Sequence, residues 1–465
     1  MLLKIAFRNI FRNRRRSLMT LLAIAVGAIA IVVFGEFVSF IRTALETMTV
    51  ESVGHLTVFR SGYFDYGGGN PAAYGISNYQ DVIRLIADDP VIKPKLNVVT
   101  PTISLTGIAG NFAISASKTF LGTGFVPSDR DRMRHWDERG VFSRRSLRPL
   151  GLRDDDETLA VVGVGLARVL GLCQALGLAD CPSRPPPPAA ATGEPEAADL
   201  AALARDARTS SPAAPSGVRP RLDLLGATAT GAPNVMSVFV AGAERQGARE
   251  LDENYVAMSF SLAQKLLYGR GEKQAAAIVL QLHHTADLDA VRTRLRTILA
   301  DNHLDLEVRD FIERYPFYKQ AVDMFDTIFL FISFIMGVIV LFTVVNTMGM
   351  SVMERTNEIG TSRALGVRRS GIRRVFVIEG ALLGALGATV GVALAQGIAM
   401  GFNAAGFTWV PPGFAGRSPL RVMTSGIGWL LVGAWAGLVL MATLAAVIPA
   451  SRAARLKVVD ALRHV

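Results

Sequence analysis

Cysteine and histidine are scarce: two and six of 465 residues. No Cys-x-x-Cys pair and no His-Glu-x-x-His run occurs, which excludes the common zinc and redox patterns. No Gly-x-x-x-x-Gly-Lys-Ser/Thr loop occurs either, so these residues cannot cradle nucleotide phosphates in that way. Two weaker metal candidates remain. His283-His284 reads as a strand end, and the row Asp154, Asp155, Asp156, Glu157 reads as a solvated turn. Nothing assembles a nucleophile, a base and an orienting group, so no catalytic residue and no metal site are assigned, and no enzyme activity is expected. Charge is sparse as well, at 19 % of residues, while half the chain is apolar and the mean hydropathy is +0.34.

The apolar residues are concentrated in four runs: 18–41, 324–350, 375–400 and 422–448. Each exceeds the roughly 20 residues that cross a bilayer as a helix. The first is longer than a signal-peptide core of about 7–15 residues, and no small-x-small cleavage site follows it, so it reads as a retained anchor. Acids are rare in these runs. Glu36 lies near the end of the first, Asp326 near the start of the second, and Glu379 one turn inside the third. An acid inside a span is a functional candidate by default. Glu379 is close enough to the end to reach the interface, and that simpler reading is preferred.

The net charge of +10 is unevenly placed. Residues 1–17, 351–374 and 451–465 together hold 16 basic and 3 acidic residues, so the remainder of the chain is slightly acidic. In a four-span topology all three basic segments fall on one side, and short Lys/Arg-rich loops stay cytoplasmic. Both termini and the 351–374 loop are therefore expected inside, with 42–323 and 401–421 outside. The charge is a topology signal, and no nucleic-acid partner is expected. Leu3, Phe7, Ile10 and Phe11 share one face of the first segment, which reads as an amphipathic helix, residues 1–17, lying against membrane lipids.

Residues 42–323 have the composition of a soluble domain. Strand-like runs with Gly, Pro and Asn boundaries occur at 55–62, 96–110 and 111–125. Near the end a strand, a helix and a strand follow in order, the helix carrying Leu288, Val291, Leu295 and Ile298 on one face. Between them, residues 181–220 hold nine of the 21 prolines and read as an extended or disordered loop. Cys173 and Cys181 would lie about 12 Å apart on an unbroken helix, too far for a bridge. A helix ending near Gly177 would bring them together. A disulfide and two free thiols both remain open. The fold class expected is an α-helical membrane protein with four transmembrane helices and a large α/β domain inserted between the first and second.

Three stretches carry a family resemblance. AFRNIFRNRRRSLMTLLAIAVG follows the start of the chain, VMERTNEIGTSRALGVRRSGIRRVFVIEGALLGALG runs into the third span, and IPASRAARLKVVDALRHV closes the sequence, with Pro449, Arg452, Ala453, Ala454, Val459, Ala461, Leu462 and Arg463 fitting. Together with the layout of one span, a large outside domain and three spans, they resemble the mechanotransmission permeases of ABC transporters. That class includes macrolide-exporter, lipoprotein-releasing and cell-division permeases. The resemblance implies a MacB-like periplasmic domain, a bacterial inner-membrane location, and a dimer with a second permease chain, identical or related. It also implies two copies of a separate ATPase subunit, which bring ATP and Mg, this chain binding no cofactor itself. The Pro-rich 181–220 stretch is not a hallmark of the class.

The resemblance makes the 351–374 loop a coupling segment, with Glu354, Glu358, Ile359, Gly360, Arg363, Ala364, Leu365 and Gly366 as the residues that meet the ATPase. Gly380, Gly384, Gly387 and Gly391 in the third span stand at the spacing that lets helices approach closely. The function expected is transmission of ATPase motion to the outside domain, for lipoprotein or lipid extraction towards a periplasmic carrier. The alternatives are efflux of an antibiotic or peptide through an adaptor, and control of a periplasmic hydrolase.

Overall fold

A computed structural model describes residues 6–9, 12, 14–67, 71–142, 149–178, 219–410, 418–456 and 458. Contacts divide the chain into two compact units: Met1–Leu45 with Phe317–Trp409 and Pro419–Val465, and Glu46–Pro316 with Val410–Ser418.

Among the described residues of the first unit, four helices are long and apolar enough to cross a membrane. They are α1 (Arg14–Val53), α2 (Pro316–Glu354), α4 (Arg369–Ala405) and α5 (Gly428–Arg455), and a short helix α3 (Thr356–Ala364) joins α2 to α4. The first three outrun their apolar stretches because adding a residue to an existing helix costs little. The fourth is offset from the run that signals it. Residues 422–427 stay outside α5, and Gly426 adopts a positive φ of 74°. Asn403 holds that segment, donating to the Val422 carbonyl and accepting from its N–H at 2.9 and 3.0 Å.

The bundle core is built from Ile24 and Ala28 of α1, Val340, Val344 and Met348 of α2, Leu383 and Ala388 of α4, and Ala442 and Ala446 of α5. Gly380, Gly384, Gly387 and Gly391 of α4 lie at its closest approaches. A Cβ on Gly384 would sit 2.7 Å from the Ala442 Cβ, and one on Gly391 would sit 2.6 Å from the Ala25 carbonyl oxygen. Gly380 faces Ala446 of α5, and Gly387 faces Ile24 of α1. The acids of the first two spans have partners here. Glu36 accepts from the Gln396 amide, and Asp326 pairs with Arg42.

The second unit is a nine-stranded sheet in the order β3-β7-β4-β6-β5-β2-β8-β1-β9. The strands are β1 (Leu56–Arg60), β2 (Leu96–Asn111), β3 (Ala116–Phe125), β4 (Leu159–Gly163), β5 (Arg221–Ala227), β6 (Pro233–Glu244), β7 (Tyr255–Ser259), β8 (Ala277–Leu282) and β9 (Leu306–Asp310). A further pairing of β2 with β3, from Thr102↔Phe125 to Asn111↔Ala116, closes six strands into a barrel. This corrects the expected α/β layering, because closure removes edge strands without covering helices. Phe120, Leu224, Val238, Val240, Val256 and Met258 fill the barrel. Gly107 makes room for the Phe120 ring, which a Cβ there would meet at 2.7 Å.

β2, sixteen residues long, serves both parts: its first half pairs with β8 and its second with β5. The β8-β1-β9 part is the strand–helix–strand unit read from the sequence, opened by one strand. β1 lies antiparallel between β8 and β9, and the helix Leu288–Asp301 that links them buries Leu288, Val291, Leu295 and Ile298.

Residues 179–218, which carry most of the Pro-rich stretch together with Cys181, lie outside the described residues. Cys173 is buried and disulfide-bonded. Gly177 takes a φ of 62°, and the Leu178 N–H returns to the Cys173 carbonyl at 3.0 Å, so the chain turns back there. The four-acid row is spent on local partners. Asp154 accepts from the Ser128 N–H and hydroxyl, Asp155 pairs with Arg153, Asp156 accepts from Thr158, and Glu157 pairs with Lys265. Among the described residues no group of three or more potential metal ligands converges.

His55 is fully buried, edge-on to Trp136 with ring centroids 5.0 Å apart. Its Nδ1 accepts from the Leu282 N–H at 3.0 Å, which leaves Nε2–H to donate to Thr285 Oγ1 at 3.1 Å. A proton added at Nδ1 would confront that N–H, and burial pushes the imidazole down from 6.5 to about 3. The unfolded chain then binds the proton more readily than the folded one. The stability from neutral His55 is present above about pH 6.5 and is lost as pH falls from there towards about 3. At pH 5 the loss is expected to be about 2 kcal/mol. Chemical unfolding of this unit at pH 7.5 and pH 5 should show it, with a smaller difference in His55→Gln. An unchanged pH dependence in that variant would contradict the assignment.

Candidate functional site: the segment between the second and third long helices

α2 ends at Glu354, the backbone breaks at Arg355, and α3 begins one residue later. Thr356 bridges the break by donating its hydroxyl to the Met353 carbonyl at 2.8 Å. The far end of α3 is closed at Gly366, whose φ is 94°. The Gly366 N–H returns to the Arg363 carbonyl at 3.0 Å and the Val367 N–H to that of Ser362 at 3.1 Å, a Schellman closure that favours glycine at the left-handed position. Glu358 stands in the first turn and Arg363 in the last, the arrangement the helix dipole favours.

The residues expected to meet an ATPase divide into three groups. Ile359 and Gly360 are buried against the bundle together with Thr356, at the three- and four-residue spacing of one helix face. Three others are held within the chain. Glu354 pairs with Arg16, Glu358 with Arg12 at 2.5 Å, and Arg363 donates to the Ala454 and Leu456 carbonyls at 3.0 Å, capping the end of α5. Ala364, Leu365 and Gly366 remain outward, and Leu365 is 82 % exposed. Beyond them Val367 is exposed too, followed by exposed Arg368, Arg369, Arg373 and Arg374, none with an acidic partner among the described residues.

The strongest tie in the segment is one that sequence reasoning missed. Arg355 and Glu379 are buried, their side chains 6 % and 5 % exposed, and they pair at 3.2 Å. Arg355 also donates to the Asn9 carbonyl at 3.3 Å. Glu379 therefore does not reach the interface as preferred above. It turns inward because a buried guanidinium supplies its partner, which solvent would otherwise have to do. A signal was present: Arg355 continues the buried Val352, Thr356, Ile359 face, an odd place for an unpaired cation.

Residues 330–458 match the family described as FtsX-like permease C-terminal. This span includes most of α2, all of α3 and α4, and α5. This region is similar to the C-terminal part of ABC permeases of the MacB, LolC and FtsX family. The lipoprotein-releasing system transmembrane protein LolC of Neisseria meningitidis is 27 % identical over 172 residues, 37 % of this chain and 40 % of that one. A macrolide export ATP-binding/permease protein MacB from a Shewanella species is 40 % identical over 119 residues, 26 % of this chain and 16 % of that one. The ABC transporter permease YtrF of Bacillus subtilis is 40 % identical over 76 residues, 16 % of this chain and 17 % of that one. The matches thus span less than half the length of each of these relatives.

In this chain the matched region contains the inward pair Arg355–Glu379 and the outward Leu365 alike. Of the N-terminal amphipathic face, Leu3, Ile10 and Phe11 lie outside the described residues, as do Val459, Ala461, Leu462 and Arg463 at the other end.

Proposed function

We propose that this permease converts ATP-driven closure of a partner ATPase pair into motion of the inserted domain, with α3 as the coupling helix. The observation that carries the reading is the shape of α3. It is fixed to the bundle on one face by Thr356, Ile359 and Gly360, pinned at its start by Arg355–Glu379 and at its end by Arg363, and it presents an exposed Leu365 knob beside arginines with no acidic partner among the described residues. An apolar anchor rimmed by cations suits a pocket on a protein surface with an acidic rim. ATP is hydrolysed outside these 465 residues, which hold no phosphate loop, and we place it on two copies of a separate subunit beneath a pair of permease chains. The basic segments favour a topology with both termini and α3 in the cytoplasm and the sheet domain in the periplasm of a bacterial inner membrane.

The cargo we favour is a lipoprotein or lipid taken from the outer leaflet, because the LolC relative is named for lipoprotein release. Efflux is the second reading, favoured by the relatives named for macrolide export. Leu365→Asp tests the coupling. It is expected to lower stimulated ATPase activity of the assembled complex at least tenfold, since a buried interface anchor is worth about 2 kcal/mol or more. Membrane insertion and thermal stability should not change, because Leu365 touches little of its own chain. Normal stimulation by the variant would refute α3 as the docking element.

A further inference from the structure

Arg12 and Arg16 are one helical turn apart and both face the coupling segment, where Glu358 and Glu354 receive them. Arg14 and Arg15, on the intervening positions, are exposed and have no acidic partner among the described residues. Four arginines thus meet two carboxylates, an excess of two positive charges. The first outward apolar residues of α1, Leu18 and Met19, are 55 % and 68 % exposed and begin two positions after Arg16. In a spanning helix that boundary marks the headgroup level of the bilayer. The arginine excess therefore lies where lipid phosphates are.

We propose that the Arg12–Arg16 cluster is a binding site for anionic phospholipid headgroups, which share its arginines with Glu354 and Glu358. Arg14 and Arg15 hold the headgroup, and its phosphate competes for Arg12 and Arg16. The competition is even-handed because both ion pairs are half exposed, where such pairs contribute little. The charge of the adjoining leaflet then sets how tightly the start of α3 is tied to α1. That consequence rests on the coupling role proposed for α3, whereas the lipid site does not.

The test uses the full chain in vesicles of phosphatidylcholine with increasing phosphatidylglycerol. Enrichment of phosphatidylglycerol around the protein is read by quenching from brominated lipid. Spin labels at the exposed positions of Arg8 and Thr361 read the separation of the two segments. In the wild type, enrichment is expected, and the label distance should lengthen or broaden as the anionic fraction rises. In Arg14→Gln/Arg15→Gln the preference for phosphatidylglycerol should fall about tenfold or more, given about fivefold per arginine near an anionic surface. The distance should then ignore lipid composition. Equal enrichment in both proteins overturns the site, and enrichment with an invariant distance overturns the sharing of arginines. Coupled ATPase activity measured in the same vesicles separates the two ideas. A distance that responds while stimulated ATPase activity stays constant leaves the lipid site intact and removes the coupling role.

Discussion

Arg355→Ala is expected to destabilise the membrane unit by about 3–5 kcal/mol, because it strands Glu379 in a site where its carboxylate has no solvent. The single variant Glu379→Ala should cost a similar amount by stranding the guanidinium. Replacing both by well-packed apolar residues, Arg355→Met with Glu379→Leu, should return most of the stability, since the pair costs desolvation as well as gaining attraction. Thermal unfolding of the purified protein in detergent measures all three. If the double variant is as unstable as the singles, the pair is not the unit that matters. Stability and coupling should part company in the double variant: a repaired bundle without the Arg355 bond to the Asn9 carbonyl holds α3 less firmly to the N-terminal segment.

Gly391→Leu should be nearly as damaging. Its side chain would have to displace the Ala25 backbone of α1, and backbone cannot rotate away as a flexible side chain can. Overpacking of this kind costs about 3 kcal/mol, and here it would separate α4 from α1. Gly384→Leu should push α5 away by the same mechanism, through Ala442 and Val439. Gly397→Leu and Gly401→Leu are the controls, because a Cβ at either position meets no atom within 4 Å. Yield of inserted protein and its melting temperature should fall for the first pair and hold for the second. Equal tolerance at all four positions would mean that α4 does not pack as described.

The glycines show how far sequence reading reaches. Spacing of four marks Gly380, Gly384, Gly387, Gly391, Gly397 and Gly401 alike. Only the neighbours across the interface distinguish the four that are crowded from the two that face open space. The segment 351–374 shows the same limit. A polar stretch closed by Gly366 reads directly as an interruption between two apolar runs, and the resemblance makes it a helix. Which of its charges are free does not read directly, because Arg12, Arg16, Glu379 and the end of α5 come from positions 24 to 346 residues away.

The barrel was less legible. Alternating strands with turn signals identify β1, β2 and β3, but the pairing of β2 with both β3 and β5 that closes the ring is non-local. What the sequence determines by itself here is the set of apolar runs, the charge asymmetry and the polar break at 351–374. Each follows from local hydropathy or from local charge. The tertiary structure alone decides that Arg355 and Glu379 meet, that Arg363 caps α5, and that Leu365 is left exposed. A buried charge can persist only beside its partner, and where that partner lies is a property of the packed bundle.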